Sequence, residues 1–230
     1  MKHYLMVDLG TGNSRVALVD SDGGILGLRT YTNVYHRDSA YEDGQYFLPE
    51  DWAALLLQGC RELCREHPDI QVDAVSAAGA RQSFVLLDGN GRAFLGLPNI
   101  DNRGRAYMAQ VPEHDEIYRL SGKWATEDFG AAKLLGLRMQ HPEQYEAVES
   151  VLSLSEWIAW IFTGRKVMEY TQACESQLYD IGQRSWSQTL CSFYGLRPEF
   201  LPPLQAAGTA VGPILDTYRR ELGMAKDAVF

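Results

Sequence analysis

Cysteine, histidine, basic charge and long apolar runs are all scarce in this 230-residue chain, and each scarcity removes a class of function. The four cysteines (Cys60, Cys64, Cys174, Cys191) form no CxxC pair and no zinc spacing with the five scattered histidines. Neither a zinc module nor a disulfide scaffold is therefore indicated. Cys60 and Cys64 lie one helical turn apart and read as small core residues, and four unpaired thiols suit a reducing, cytoplasmic compartment. No run of about 18 apolar residues is present, so no membrane partner is expected through a spanning helix. The apolar run after Met1 reaches Asp8 too soon for a signal peptide. Lys plus Arg number 21 against 30 Asp plus Glu, a net charge of −9, which disfavours nucleic acid as a partner. The bulk numbers exclude much and identify nothing.

What is present is globular: 46% hydrophobic, 11% aromatic and 22% charged residues, enough to build one large domain or two small ones. Residues 4–9, 14–20 and 25–32 read as three strands, with Asp20-Ser21-Asp22-Gly23-Gly24 as turn chemistry between the last two, an antiparallel opening. The period then changes. Pro49-Glu50-Asp51 opens a helix whose apolar stripe runs through Trp52, Leu55, Leu56, Cys60, Leu63 and Cys64 and stops at His67-Pro68-Asp69. A strand follows over 72–78, then a hairpin of 84–87 and 93–97 around Asp88-Gly89-Asn90-Gly91. From Arg103 helical signals dominate: about 104–111, 114–121, 131–140 and 142–148, then a Trp157–Ile161 helix capped at Gly164. A strand near 177–180, helices near 186–194 and 213–222, and a strand starting at Ala228 complete the expectation. Antiparallel strands followed by helix–strand alternation argue for an α/β domain with a mixed sheet.

The most informative stretch is Asp8-Leu9-Gly10-Thr11-Gly12-Asn13-Ser14-Arg15, which joins two strands. Backbone N–H groups of such a loop can approach phosphate oxygens, and Thr11, Asn13 and Ser14 can add donors. Asp8 at the strand end can hold Mg²⁺ through water, and Arg15 can meet a phosphate as a fork of donors. The same spacing also suits an ordinary glycine-rich hairpin turn. It is not a Walker A, because the lysine is missing, nor a dinucleotide fingerprint, because Arg15 stands at the third glycine position and a strand follows.

The loop, taken with later stretches, resembles the N-terminal half of the FGGY carbohydrate kinases, the family of glycerol kinase, xylulokinase and the autoinducer-2 kinase. The resemblance continues through Asp43–Trp52, Ala77-Ala78-Gly79-Ala80-Arg81-Gln82, Pro98–Arg103, Thr163-Gly164 and Tyr170-Thr171-Gln172-Ala173, in order and over essentially the whole chain. It implies a ribonuclease-H-like fold of the actin and hexokinase type, with residues 1–230 as the first of two domains. It implies ATP-dependent phosphorylation of a hydroxyl of a sugar or polyol. Asp8 is then the Mg²⁺ residue, and Thr11, Gly12, Asn13 and Arg15 bind the ATP phosphates. Arg81 and Gln82 stand where the family grips substrate hydroxyls, and Asp101 is expected to accept from the acceptor or to cap the helix near Gly104. Glu169–Gln172 is expected to be structural. A complete enzyme could form a homodimer.

The family's general base is an Asp in a Gly-Gly-Gly-Asp motif, expected just beyond Phe230, and a second domain is expected to supply most adenosine contacts. This chain by itself is therefore expected to be inactive or nearly so. The alternative is a non-catalytic sugar-binding or regulatory module derived from such a kinase. A ribonuclease-H-type nuclease is disfavoured, because Gly10-Thr11-Gly12 would have no task there.

Overall fold

The computed structural model describes residues 1–230. Strands β1 (His3–Leu9), β2 (Asn13–Asp20) and β3 (Ile25–Thr32) form an antiparallel meander, with Val7 opposite Val16 and Asp8 opposite Arg15. A short hairpin, β4 (His36–Asp38) and β5 (Gly44–Tyr46), leads into helix α1 (Pro49–Glu66). As its sequence predicts, α1 starts on Pro49 with Glu50 and Asp51 in its first turn. Strand β6 (Val72–Gly79) then returns parallel to β1, placing Gly79 opposite Leu9.

Strands β7 (Phe84–Leu87), β8 (Ala93–Leu97) and β9 (Ser150–Ser153) make a second, antiparallel sheet. Between β8 and β9 lie a tight 3-10 helix (Arg105–Gln110) and α2 (His114–Ser121), α3 (Gly130–Gln140) and α4 (Pro142–Glu146). After β9 come α5 (Leu154–Thr163), β10 (Met168–Glu169) and α6 (Tyr170–Ser176), then β11 (Tyr179–Asp180), β12 (Ser185–Trp186) and α7 (Gln188–Tyr194). The chain closes with β13 (Leu204–Gln205), α8 (Asp216–Glu221) and β14 (Met224–Val229). The main sheet has the order β14-β6-β1-β2-β3, the mixed sheet expected from the pattern.

Alternation decides which face of that sheet is covered. Leu5, Val7 and Leu9 point with Val16 and Leu18 into a core shared with Leu56, Cys60 and Leu63 of α1 and Trp157, Ile158 and Phe162 of α5. The opposite face carries Met6 and Leu28, which are 39% and 46% exposed. Strand β7 separates this core from a second one. Val85 and Leu87 face the first, and Phe84 and Leu86 face the second with Leu134, Leu137 and Tyr194. Burial on both faces is why Phe84-Val85-Leu86-Leu87 shows no polar alternation.

Several sequence boundaries shift. The predicted helix over 104–111 is the 3-10 turn, and the predicted 213–222 helix shortens to α8. The last strand starts at Met224 rather than Ala228. Strand β9 was not foreseen, since four buried residues inside a helical stretch carry no period of their own. Gly164 caps α5 at φ 69°, as expected.

Candidate active site

Two loops meet at the carboxyl ends of the parallel neighbours β1 and β6. Residues 10–12 leave β1, and residues 80–83 leave β6. The Ala80 N–H donates to the Leu9 carbonyl at 2.8 Å, so the loops run side by side. This is where an open sheet with parallel strands binds ligands.

In the first loop three successive carbonyls are turned inward. Asn33 donates from Nδ2 to the Gly10 carbonyl at 2.7 Å and to the Thr11 carbonyl at 3.2 Å, and its backbone N–H donates to the Gly12 carbonyl at 3.1 Å. The Tyr35 hydroxyl donates to the Thr11 carbonyl at 2.6 Å. Asn33 is itself held, because Ser14 Oγ donates to its Oδ1 at 2.6 Å. The Gly10 N–H closes the turn on the Asn13 carbonyl at 3.0 Å, whereas the exposed N–H groups of Thr11 and Gly12 donate to no backbone or side-chain acceptor in the chain. Two free donors beside capped carbonyls make a small electropositive nest suited to an anion. Asp8 and Arg15, opposite each other on β1 and β2, pair at 3.1 Å with side chains 54% and 43% exposed. The structure thus brings together Asp8, Thr11, Gly12, Asn13 and Arg15, with Asp8 and Arg15 reachable from solvent.

The second loop carries Arg81, exposed and without a partner among the chain's acidic side chains, and Gln82. Gln82 has φ 60°, the left-handed region that a residue with a Cβ enters at a cost of about 1–2 kcal/mol. Non-glycine residues held in that region concentrate at functional sites. Ser83 Oγ accepts the Asn99 N–H at 2.9 Å, and Asn99 Nδ2 donates to Thr11 Oγ1 at 2.9 Å. Asn99 therefore links the two loops.

Asp101 departs from the sequence expectation. It is 0% exposed, and both carboxylate oxygens are engaged: Oδ1 accepts the Gln45 N–H at 2.8 Å and Oδ2 accepts Arg103 Nε at 2.7 Å. It has no surface to offer an acceptor, and it is not the helix cap either, since Gly104 holds that position. Burial pushes its carboxyl up while Arg103 and Lys133 pull it down. Arg103, also buried, lies 3.6 Å from Asp38 and over the ring of Tyr41. Asp101 is the anion of this internal cluster. Glu169 has the structural place expected of it: it caps α6, its Oε2 accepting the Thr171 N–H at 2.8 Å and the Gln172 N–H at 3.3 Å.

Asn33, Tyr35, Asn99 and Lys133 escaped the sequence reading. The first two had a local signal, since the pairing of Asn13 with Thr32 puts the next residues after β3 beside the loop. Asn99 lay within the Pro98–Arg103 stretch of the resemblance but with no role attached to it, and Lys133 had no signal.

A cavity of about 630 Å³ lies next to these loops, between Val75–Gly79 of β6, Ser155 and Glu156 of α5, and residues 205–211. Strand β14 pairs with β6 only as far as Ala74, so the β6 edge beyond it opens on this cavity. Glu156 is buried there with no cation, bonded to the hydroxyls of Ser153 and Ser155, and burial raises its pKa.

Comparison with known proteins shows the family and the fold. Residues 3–229 match the model of the N-terminal domain of the FGGY family of carbohydrate kinases. YoaC of Bacillus subtilis, whose name assigns it provisionally to the sugar kinases, is 40% identical over 228 residues, 99% of this chain and 47% of that protein. The autoinducer-2 kinase of Salmonella choleraesuis is 29% identical over 92% of this chain and 42% of its own length. The chain thus spans about half the length of the curated relatives it matches. Among solved structures, the ligand-bound xylulose kinase of Lactobacillus acidophilus superposes with a TM-score of 0.88 at 19% identity, covering 100% of this chain and 47% of that one. At that identity the likeness shows a shared fold.

Proposed function

From a chain that belongs to the FGGY family of carbohydrate kinases, we propose the acceptor-binding, phosphate-positioning half of an enzyme that transfers phosphate from ATP to a hydroxyl of a sugar or polyol. The observation that carries this reading is the nest at Thr11 and Gly12. Its carbonyls are capped by Asn33 and Tyr35, its amides are free, and it stands beside a loop that presents Arg81 and Gln82.

Each side chain has a task. The amides of Thr11 and Gly12, with Asn13 and the Arg15 guanidinium, orient the transferring phosphate, for which positioning and electrostatic stabilisation supply most of the catalysis. Arg81 and Gln82 offer donors and an amide oxygen to an acceptor whose hydroxyls each donate and accept. Gln82 brings no charge, which suits a neutral polyhydroxy compound, open-chain or short.

The residues present also fit a magnesium ion. No group of three acidic or histidine side chains forms a cage, but Mg²⁺ in phosphoryl transfer is held by one or two carboxylates, waters and the substrate's phosphates. Asp8 is that carboxylate, exposed beside the nest and placed against Arg15. The ion, when bound, neutralises phosphate charge.

In this reading a base Asp following β14 and a second, nucleotide-binding domain complete the cleft, and closure of the two excludes water. The enzyme works in the cytoplasm on a small-molecule acceptor, with the complete protein able to form a homodimer. The test is Asp8→Ala in the full-length protein. Turnover should fall at least about a hundredfold, on the scale of a lost electrostatic group, with sugar affinity changed by less than about threefold. Unchanged turnover would overturn the role of Asp8. Saturable sugar binding by a full-length protein that never hydrolyses ATP would support a non-catalytic module instead.

A further inference from the structure

Lys133 stands on α3 directly beneath the turn Pro98–Asp101. It is 0% exposed, yet no carboxylate pairs with it. Its ammonium donates to the carbonyls of Asp101 at 2.6 Å, Pro98 at 2.8 Å and Asn99 at 3.4 Å. An ammonium has three donors, and here all three go to one turn of backbone. Desolvating a lysine without an ion pair is costly, so a purely structural plug at this position would more simply be a leucine or methionine.

The turn it holds is the junction of the site. Asn99 reaches Thr11 of the phosphate nest through Nδ2, and its N–H reaches Ser83 behind Arg81 and Gln82. Asn99 has little else to orient it, because its Oδ1 is buried without a partner. The amide is therefore aimed by its backbone, and its backbone is fixed from below by Lys133. The seating is tight. A Cβ on Gly136 would lie 2.5 Å from the Arg103 carbonyl, so α3 and the segment after the turn approach backbone to backbone.

We propose that Lys133 is a positioning residue: its ammonium clamps the turn that ties the phosphate nest, at Thr11, to the acceptor loop, at Ser83. The functional meaning of the clamp rests on the kinase reading, whereas the coupling itself does not. Burial lowers the pKa of Lys133 to about 8, with Asp101 and Asp128 raising it and Arg103 lowering it further. Deprotonation removes one donor and leaves one of the three carbonyls without a partner, so the link between the loops should loosen as the pH passes that value.

Nuclear magnetic resonance on the chain tests this without any turnover assay. With ¹³C at the lysine Cε and ¹⁵N throughout, Lys133 should titrate near 8. The Thr11 and Gly12 amides and the Asn99 side-chain amide should move with the same midpoint, while the remote turn at Asp22–Gly24 stays still. In Lys133→Met the same three signals should leave their neutral-pH positions and lose that pH dependence. If they are unmoved by the substitution, or if they ignore the titration of Lys133 in the unaltered chain, the proposal is overturned. Should Lys133→Met fail to fold, the titration of the unaltered chain decides alone. A failure of the kinase reading would instead show as absent turnover in the full-length protein, with these couplings intact.

Discussion

Asn99 Nδ2 lies 2.9 Å from Thr11 Oγ1, a contact between residues 88 apart in sequence that joins the two halves of the site. Neither residue belongs to the same loop as Arg81, yet Ser83 brings that loop to the Asn99 backbone. The site is thus a three-point assembly of residues 10–12, 80–83 and 98–101. Its geometry depends on the turn at Pro98–Asp101 as much as on the residues that face a ligand.

Asn33→Ala should disorder the loop at residues 10–12 while leaving the sheet in place. The side chain donates to two loop carbonyls and accepts from Ser14. A net hydrogen bond contributes about 0.5–1.5 kcal/mol, so losing three is expected to cost roughly 1.5–4.5 kcal/mol. Urea unfolding measures that loss, and hydrogen exchange at the Gly10 amide, which closes the turn on Asn13, should accelerate well beyond exchange in β6. An unchanged exchange rate at Gly10 would show that Tyr35 alone secures the loop.

Two glycines should separate folding from binding. A Cβ at Gly104 would collide with the backbone of Ala132, where α3 presses on the segment after Asp101. Gly104→Ala should therefore destabilise by about 3 kcal/mol or more, a value that marks strain or overpacking. A Cβ at Gly12 meets nothing within 4 Å, so Gly12→Ala should stay within about 0.5 kcal/mol of the unaltered chain. Its effect should instead fall on anion affinity, where the methyl crowds the face of the nest. Thermal melts and nucleotide titration of the full-length protein distinguish the two outcomes.

Legibility followed locality. Residues 8–15 revealed a glycine-rich loop between two strands because glycine turns and strand alternation are written in neighbouring residues. Helix α1 was equally plain from Pro49 and its apolar stripe. Asp101 misled because a carboxylate after a strand looks the same whether it faces a ligand or a buried arginine, and the partners that settle it, Arg103 and Gln45, depend on how a hairpin 56 residues away is seated. Lys133 reads as one more polar residue in a helix, since nothing in Ala131-Ala132-Lys133-Leu134 shows that the helix is buried on every side. The two cores on either side of β7 were hidden for the same reason, because a run buried on both faces has no period to read.

Glu156→Gln should raise stability at neutral pH. Burial lifts the pKa of Glu156 above its ordinary value, with the Ser153 and Ser155 hydroxyls and a backbone N–H opposing the shift and the charge of Glu169 adding to it. The folded chain therefore holds that proton more tightly than the unfolded chain does. The resulting stabilisation is complete below the unfolded carboxyl pKa, about 4.3, and is lost as the pH rises through the folded value. At neutral pH the ionised group is a burden that Gln removes, while its amide oxygen still accepts from both serines. Denaturation midpoints of the two proteins should converge as the pH falls toward 4. A gap that widens on acidification would mean that Glu156 is stabilised as an anion by a partner other than the serines.

Gln82→Gly should make the chain more stable and less able to bind its acceptor. Glycine enters the left-handed region without the Cβ penalty, so relief of φ 60° is expected to contribute about 1 kcal/mol. Glycine also enlarges the unfolded ensemble, which takes back part of that gain. The net change should be small and positive, whereas the loss of the amide removes a donor and an acceptor from the loop at residues 80–83. A residue kept in a strained conformation that a smaller one would relieve is explained by what its side chain touches. If Gln82→Gly raises stability and leaves acceptor affinity untouched, the strain serves only the path of the loop into β7, and Arg81 alone faces the acceptor.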